Sequence, residues 1–385
     1  MKKPEGKVLI TGNEAIAEGA IQAGCQFYAG YPITPQNELI AYMARHMPQR
    51  GRIFIQAESE LAAINMVFGA SAAGFRAMTS SSSPGISLKQ EGISYLAGTE
   101  LPAVIVNMMR AGPGLGSIAP SQSDYFQATR GGGHGDYHSI VLSPSSVEEA
   151  YKLMFLAFEL ADKYRMPAII LGDGMLGQMA EPLQLSAVGC QPCLSGRQVS
   201  AGHKKPWALT GCKDRKPNII RSLLLAEGAL EELNLKLQKK YRQIEKTEQL
   251  WEELFLDDAR VILVAYGGMA RIVKGAVKKL RENGFKAGFI RPISLWPFPT
   301  QALTKHLSRS IKYLAVEMSY GQMVEDVRLA VGGKCAVDFL GRAGGGIPAE
   351  EEIINKVTRS SRRKRNTGAI TDRRRVQGHN QKVKK

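Results

Sequence analysis

The feature that most constrains this chain is an alternation that runs from Lys7 to Asp173. Short, near-continuous apolar runs, KVLIT, CQFYAG, RIFIQA, FRAMTSS, PAVIVNMM, SIVLS and PAIILGD, alternate with longer stretches of helical periodicity, each bounded by Gly, Pro or Ser. A strand that is apolar at successive positions has no solvent face, so it must lie in a sheet covered on both sides. Helices between such strands act as crossovers, and crossovers make the sheet parallel. The expected class is α/β, with a parallel sheet and helices on both faces.

The rhythm stops near residue 185. Residues 185–256 combine a Pro-, Gly-, Lys- and Cys-rich stretch with a highly charged one, EGALEELNLKLQKKYRQIEKTEQLWEEL, whose apolar residues recur at helical spacing and predict a long exposed helical arm. A second α/β unit is expected over 257–358, with strands RVILVAYG, KAGFIRPISL, YLAVEMS and CAVDFLGR. The divisions are then 1–184, 185–256, 257–358 and a basic tail over 359–385.

Four constellations follow predicted strands of the first unit. In YAGYPITPQNELI, Pro32 and Pro35 bracket Ile33 and Thr34, and prolines restrict both their own φ and the residue before them. In RIFIQAESELAAINMVFGASAAG, Glu58 and Glu60 sit where a strand gives way to a helix of small residues. A carboxylate there is favoured by the helix dipole whether or not it has another task. TSSSSPGISLKQEG brings the hydroxyls of Ser80, Ser81, Ser82 and Ser83 to another helix start, where capping and ligand contact both remain open. VIVNMMRAGPGLGS places Arg110 at a strand end before a glycine-rich loop, a cation that needs either a carboxylate partner or an anionic ligand. All of these fall at the carboxyl ends of parallel strands, where open α/β sheets bind ligands.

Charge and cysteines narrow the function class. The net charge is +16, yet the stretch from Arg359 to Lys385 holds eleven Lys and Arg and one Asp, so +10 of it lies in the tail. This argues against a nucleic-acid-binding core and for a solvated extension. Five cysteines, at 25, 190, 193, 212 and 335, do not form a disulfide framework, and the single CxxC would need two more ligands for a zinc or iron–sulfur site, for which only Cys212 and His203 are nearby in sequence. No run is long and apolar enough to span a bilayer, and no secretory leader is evident at MKKPEGKVLITG. A cytoplasmic protein with no metal site of its own is expected.

Collinear blocks, GNEAIAEGAIQAGCQFYAGYPITP, QAESELAAINMVFGASAAG, TSSSSPGISLKQEG and SQSDYFQATRGGGHGDYH, resemble the alpha-type subunits of 2-oxoacid:ferredoxin oxidoreductases, over residues 7–355. The nearest likeness is to the 3-methyl-2-oxobutanoate (2-oxoisovalerate) type. The resemblance implies a thiamine diphosphate-binding fold of the pyrimidine type followed by a transketolase C-terminal-like α/β domain. It implies oxidative decarboxylation of a 2-oxoacid with coenzyme A to acyl-CoA, carbon dioxide and reduced ferredoxin. Glu60 matches the glutamate that bonds the aminopyrimidine ring, Ser81, Ser82 and Ser83 fall on the cofactor side, and Thr34 and Arg110 match the residues that hold the 2-oxoacid head. The diphosphate and its Mg2+ are implied to lie on a beta-type subunit, and the iron–sulfur clusters on further partners, among them gamma-type and ferredoxin-like subunits, with ferredoxin as acceptor. GDG at Gly172–Gly174 lacks the downstream Asn of a diphosphate motif. Pyruvate or 2-oxoglutarate as substrate, and a non-oxidative thiamine enzyme half, are the alternatives.

Overall fold

A computed structural model describes residues 6–185 and 205–359. The strands Phe27–Gly30, Ile53–Gln56, Ala77–Ser81, Ala103–Met109, Ile140–Leu142 and Pro167–Asp173 pair in parallel. With Ser294–Trp296 they form a seven-stranded sheet, ordered Ser294–Trp296, Ile140–Leu142, Pro167–Asp173, Ala103–Met109, Ala77–Ser81, Phe27–Gly30, Ile53–Gln56. The two central strands Ala103–Met109 and Pro167–Asp173 are buried at every position, as their unbroken apolar sequence requires. Helices such as Gly12–Gln22, Glu60–Ala72, Ser83–Gly98 and Val147–Tyr164 cover the faces. Three of these four starts carry a side-chain cap. Thr11 and Glu14 form a reciprocal capping box, and Ser146 accepts from the Glu149 amide.

A second sheet of five strands runs Ala336–Gly341, Lys312–Glu317, Val261–Val264, Ala287–Pro292, Trp251–Leu254. Its apolar cluster packs the helix Gly267–Glu282 and the helical segment 350–359, through Ile353 and Val357, against the strands.

Three expectations change. KVLIT leaves the parallel sheet, and Lys7–Thr11 pairs antiparallel with Ala180–Gln184. Only Ile10 of that strand is buried, which suits a peripheral ribbon and not a doubly covered sheet. The charged arm is a helix only over Ala229–Thr247; Trp251–Leu254 is an edge strand antiparallel to Ala287–Pro292. The helix does not project, because Leu237, Tyr241 and Ile244 are buried against the first unit and Tyr241 meets Trp296 edge-on. Finally, KAGFIRPISL breaks at Ile293: Ala287–Pro292 belongs to the second sheet and Ser294–Trp296 joins the first, antiparallel to Ile140–Leu142. One chain segment thus stitches the two sheets together. Cys190, Cys193 and the tail beyond Arg359 lie outside the described residues. Among the described residues no helix is long and apolar enough to cross a membrane.

Candidate active site

Thr34 lies in the loop after the strand Phe27–Gly30, and that loop is held from several sides. Asn13, on the first helix, donates to the Pro35 carbonyl at 2.7 Å and to Glu38 at 2.7 Å. Gln36 donates to the Tyr31 carbonyl at 3.2 Å and accepts from Ser80 at 2.7 Å, and Ser80 in turn meets the Tyr28 hydroxyl at 2.6 Å. Asn37 donates to the Thr34 hydroxyl at 3.0 Å. Its oxygen being used as acceptor, the hydroxyl presents its hydrogen for donation.

Arg110 is 7% exposed. Its guanidinium donates to the Thr34 carbonyl at 3.1 Å and to the Leu115 carbonyl at 3.0 Å, while Nε has no partner. No carboxylate among the described residues bonds it. The cation therefore ties the Thr34 loop to the glycine-rich loop through neutral carbonyls and keeps unspent donor capacity, a costly state in a buried site unless an anion can arrive.

Glu60 and Glu58 are separated by the fold. Glu58 is exposed, and Glu60, the first residue of the helix Glu60–Ala72, is 6% exposed. Ser59, the residue before it, caps the helix by accepting from the Ala62 amide at 3.2 Å, so capping does not occupy the Glu60 carboxylate. Ser81 donates to it at 3.5 Å, a weak contact. Gly85 makes this corner possible, since a Cβ there would collide with both the Ser81 hydroxyl and the Glu60 carboxylate.

The four serines sort into different tasks. Ser80 belongs to the Tyr28–Gln36 chain, and Ser81 faces Glu60. Ser82 is the N-cap residue of the helix Ser83–Gly98 but makes no capping bond, and its buried hydroxyl has no partner. Ser83 turns to Asp124 at 2.6 Å and to the Arg110 carbonyl at 3.1 Å. Asp124 also accepts from Asn107 at 2.9 Å; burial pushes its carboxyl above the usual range, and these two bonds pull it back. The structure thus gathers Glu60 with Ser81, and Arg110 with Thr34 and Ser83. The two groups stand on neighbouring strand ends, where Ser81 pairs with Asn107.

Two features were missed from the sequence. Lys89 is fully buried, with its ammonium 3.3 Å from the Glu60 backbone carbonyl. Burial brings its pKa down to about 8, against a smaller opposing effect of the Glu60 charge. The signal was its spacing, because Gly85, Lys89 and Gly92 fall on one buried face of a helix. The other is a seam between the units, built from the SQSDYFQATR block. Gln122 donates to the Tyr266 carbonyl at 2.9 Å and accepts from the Met318 amide at 2.9 Å. Asp173, the centre of GDG, accepts from the amides of Leu176 at 3.0 Å and Gly268 at 2.8 Å, serving helix starts in both units. Among the described residues no three His, Cys, Asp or Glu side chains converge as a metal-ligand set.

Comparison with known proteins agrees along the chain. Residues 18–250 match the family model described as pyruvate flavodoxin/ferredoxin oxidoreductase, thiamine diphosphate-binding, and residues 259–353 match pyruvate:ferredoxin oxidoreductase core domain II. Ketoisovalerate oxidoreductase subunit VorB of Methanothermobacter marburgensis is 49% identical over 349 residues, covering 91% of this chain and 96% of its own. The 2-oxoglutarate synthase subunit KorA of Methanothermobacter thermautotrophicus is 37% identical, covering 92% and 98%. Among solved structures, a 2-oxoglutarate:ferredoxin oxidoreductase from Magnetococcus marinus superposes with a TM-score of 0.81 at 28% identity, over 93% of this chain and 66% of that chain. A split-gene transketolase, at 12% identity and a TM-score of 0.56, shares the fold.

Proposed function

This chain belongs to the 2-oxoacid:ferredoxin oxidoreductase family as an alpha-type subunit, and from that premise we propose that it supplies the pyrimidine side and the substrate-head side of an active site completed by a partner subunit. The reaction is oxidative decarboxylation: a 2-oxoacid and coenzyme A give acyl-CoA and carbon dioxide, and two electrons pass to ferredoxin. The observation that carries the reading is the buried Glu60 carboxylate at a strand-end rim, free of capping duty and met only weakly by Ser81.

The residues fit the aminopyrimidine of thiamine diphosphate. A buried carboxylate, met weakly by Ser81, lies at a helix start opened by Gly85, and the N-cap residue of that helix, Ser82, keeps a buried hydroxyl without a partner. Bound there, the cofactor supplies the nucleophilic carbon and the electron sink for loss of carbon dioxide. Glu60 holds the proton at the ring nitrogen. Ser81 orients Glu60. Arg110 takes the substrate carboxylate with its unspent donor capacity, and Thr34 donates to the 2-oxo head. The diphosphate and Mg2+ rest on a beta-type subunit, and gamma-type and ferredoxin-like subunits carry the electrons away through iron–sulfur clusters, all in the cytoplasm.

The substrate we propose is 3-methyl-2-oxobutanoate. The ketoisovalerate relative supports it, and the loop that Arg110 holds carries two exposed apolar side chains, Leu115 and Ile118, that a branched side chain could meet. Coenzyme A-dependent dye reduction by the assembled complex, compared across 3-methyl-2-oxobutanoate, 2-oxoglutarate and pyruvate, tests this. The highest kcat/KM is expected for the branched acid. A higher value for either competitor moves the substrate, and decarboxylation without dye reduction would make the complex a non-oxidative enzyme.

A further inference from the structure

A lysine with no solvent contact is expensive to keep, because its ammonium must give up hydration for whatever the interior offers. The interior here offers Lys89 one hydrogen bond, to the backbone carbonyl of Glu60 at 3.3 Å. The lysine lies on the same buried helix face as Gly85, one turn on, and Gly85 is the residue whose missing side chain admits the Glu60 carboxylate and the Ser81 hydroxyl. Two successive turns of the helix Ser83–Gly98 therefore serve a single residue on the helix Glu60–Ala72. The first turn makes room for its carboxylate, and the second fixes its backbone and sets a cation near it. Among the described residues Glu60 is the one charged group that acts on Lys89.

We propose that Lys89 is a positioning residue for Glu60, anchoring its backbone at the helix start and using a buried positive charge to push the proton shared with the cofactor ring from the carboxyl toward the ring nitrogen. The inference rests on the reading of Glu60 given above. Its physical basis is that a cation favours the anionic form of a neighbouring carboxyl group, so the charge on Lys89 biases where a shared proton sits. The Lys89 pKa of about 8 makes the bias titratable. Below that pH the lysine is charged and the proton is displaced toward the ring. Above it the bias is lost.

The test uses the assembled complex loaded with thiamine diphosphate, carrying Lys89→Met, Lys89→Arg or Glu60→Gln. The readouts are the near-ultraviolet signature of the protonated aminopyrimidine ring and kcat and KM, all against pH. Wild type should show the ring signature and full kcat at neutral pH, and lose both as pH rises through about 8. Lys89→Met should lack the signature throughout and lose about tenfold in kcat at neutral pH, a fraction of what a full proton-transfer contribution is worth, with KM unmoved; at alkaline pH wild type should converge on it. Lys89→Arg, which stays charged, should keep the signature through the alkaline range. A purely structural lysine would give a loss independent of pH, and that result, or a wild-type pH profile in Lys89→Met, overturns the proposal. Should Lys89→Met fail to assemble, an alkaline loss persisting in Lys89→Arg overturns it equally. The Glu60→Gln complex separates the two levels. If it turns over normally the reading of Glu60 fails, and if it is inactive while the Lys89 variants behave as wild type, only the role of Lys89 fails.

Discussion

Two regions of this molecule bury polar side chains, and they do so in opposite ways. In the seam between the units the buried groups are partnered. The Glu317 carboxylate accepts from the Ser319 hydroxyl and from the amides of Gln322, Met323 and Val324, at 2.9 to 3.1 Å. Asp173 caps two helices, and Arg291 makes a two-pronged pair with Glu149 at 2.8 and 2.9 Å while also reaching Glu252 at 2.9 Å. At the strand-end rim, the Ser82 hydroxyl, the Asn107 carbonyl oxygen and Arg110 Nε are buried without a partner. Buried polar groups are almost always paired, so unpaired ones grouped at the rim are what the proposed ligand site requires. The seam spends its polar groups on rigidity, and the rim reserves them.

The contrast yields predictions that separate activity from stability. The largest effect is expected at the rim. Glu60→Gln should lower turnover by about 10²–10⁴-fold without loss of assembly, while Glu58→Gln, altering an exposed carboxylate, should be mild in the same kinetic assay. In the seam, Glu317→Ala strands the donors that Glu317 satisfies, and should cost on the order of 3–5 kcal/mol, read as a lower Tm, with the KM for substrate unchanged. Arg110→Lys keeps the charge and loses the planar fork, so apparent affinity for every 2-oxoacid should weaken by about 1–3 kcal/mol, with preference among them unmoved. Thr34→Val should follow the same pattern more weakly. A further expected effect is a pH dependence of stability, of a size comparable with that of the seam substitution. Because the folded chain holds Lys89 at about 8 and the unfolded chain at its ordinary 10.5, the unfolded state binds more protons between those values. Stability from this group therefore rises as pH climbs through that window. Thermal melts should show that rise in the wild-type chain and its loss in Lys89→Met.

How much of this was legible follows from what local sequence encodes. The parallel sheet was, since unbroken apolar strands such as VIVNMM have no other place to go. The place of the candidate rim residues was, since Thr34, Glu60 and Arg110 follow strand ends and Ser81 closes one. The bond from Arg110 to the Thr34 carbonyl was not, because it joins loops 76 residues apart and uses a backbone acceptor that every residue has. The division of labour among Ser80 to Ser83 was equally hidden, because four identical side chains part company only once Tyr28, Glu60 and Asp124 are placed around them. The first strand misled because KVLIT has the composition of an interior strand, and only its tertiary pairing with Ala180–Gln184 makes it peripheral. The break at Ile293 escaped because KAGFIRPISL reads as one strand, although its two halves hydrogen-bond to different sheets.

The most direct test of the account sets one residue from each region against the other. Thiamine diphosphate is titrated by calorimetry into complexes assembled with wild-type, Glu60→Gln or Glu317→Gln chains, and each complex is then melted. The account predicts that Glu60→Gln weakens cofactor binding, while still allowing the cofactor to be loaded at excess, at an unchanged melting temperature, and that Glu317→Gln lowers the melting temperature and leaves the cofactor affinity as in wild type. Normal cofactor affinity in Glu60→Gln, or a loss of affinity confined to Glu317→Gln, would contradict it.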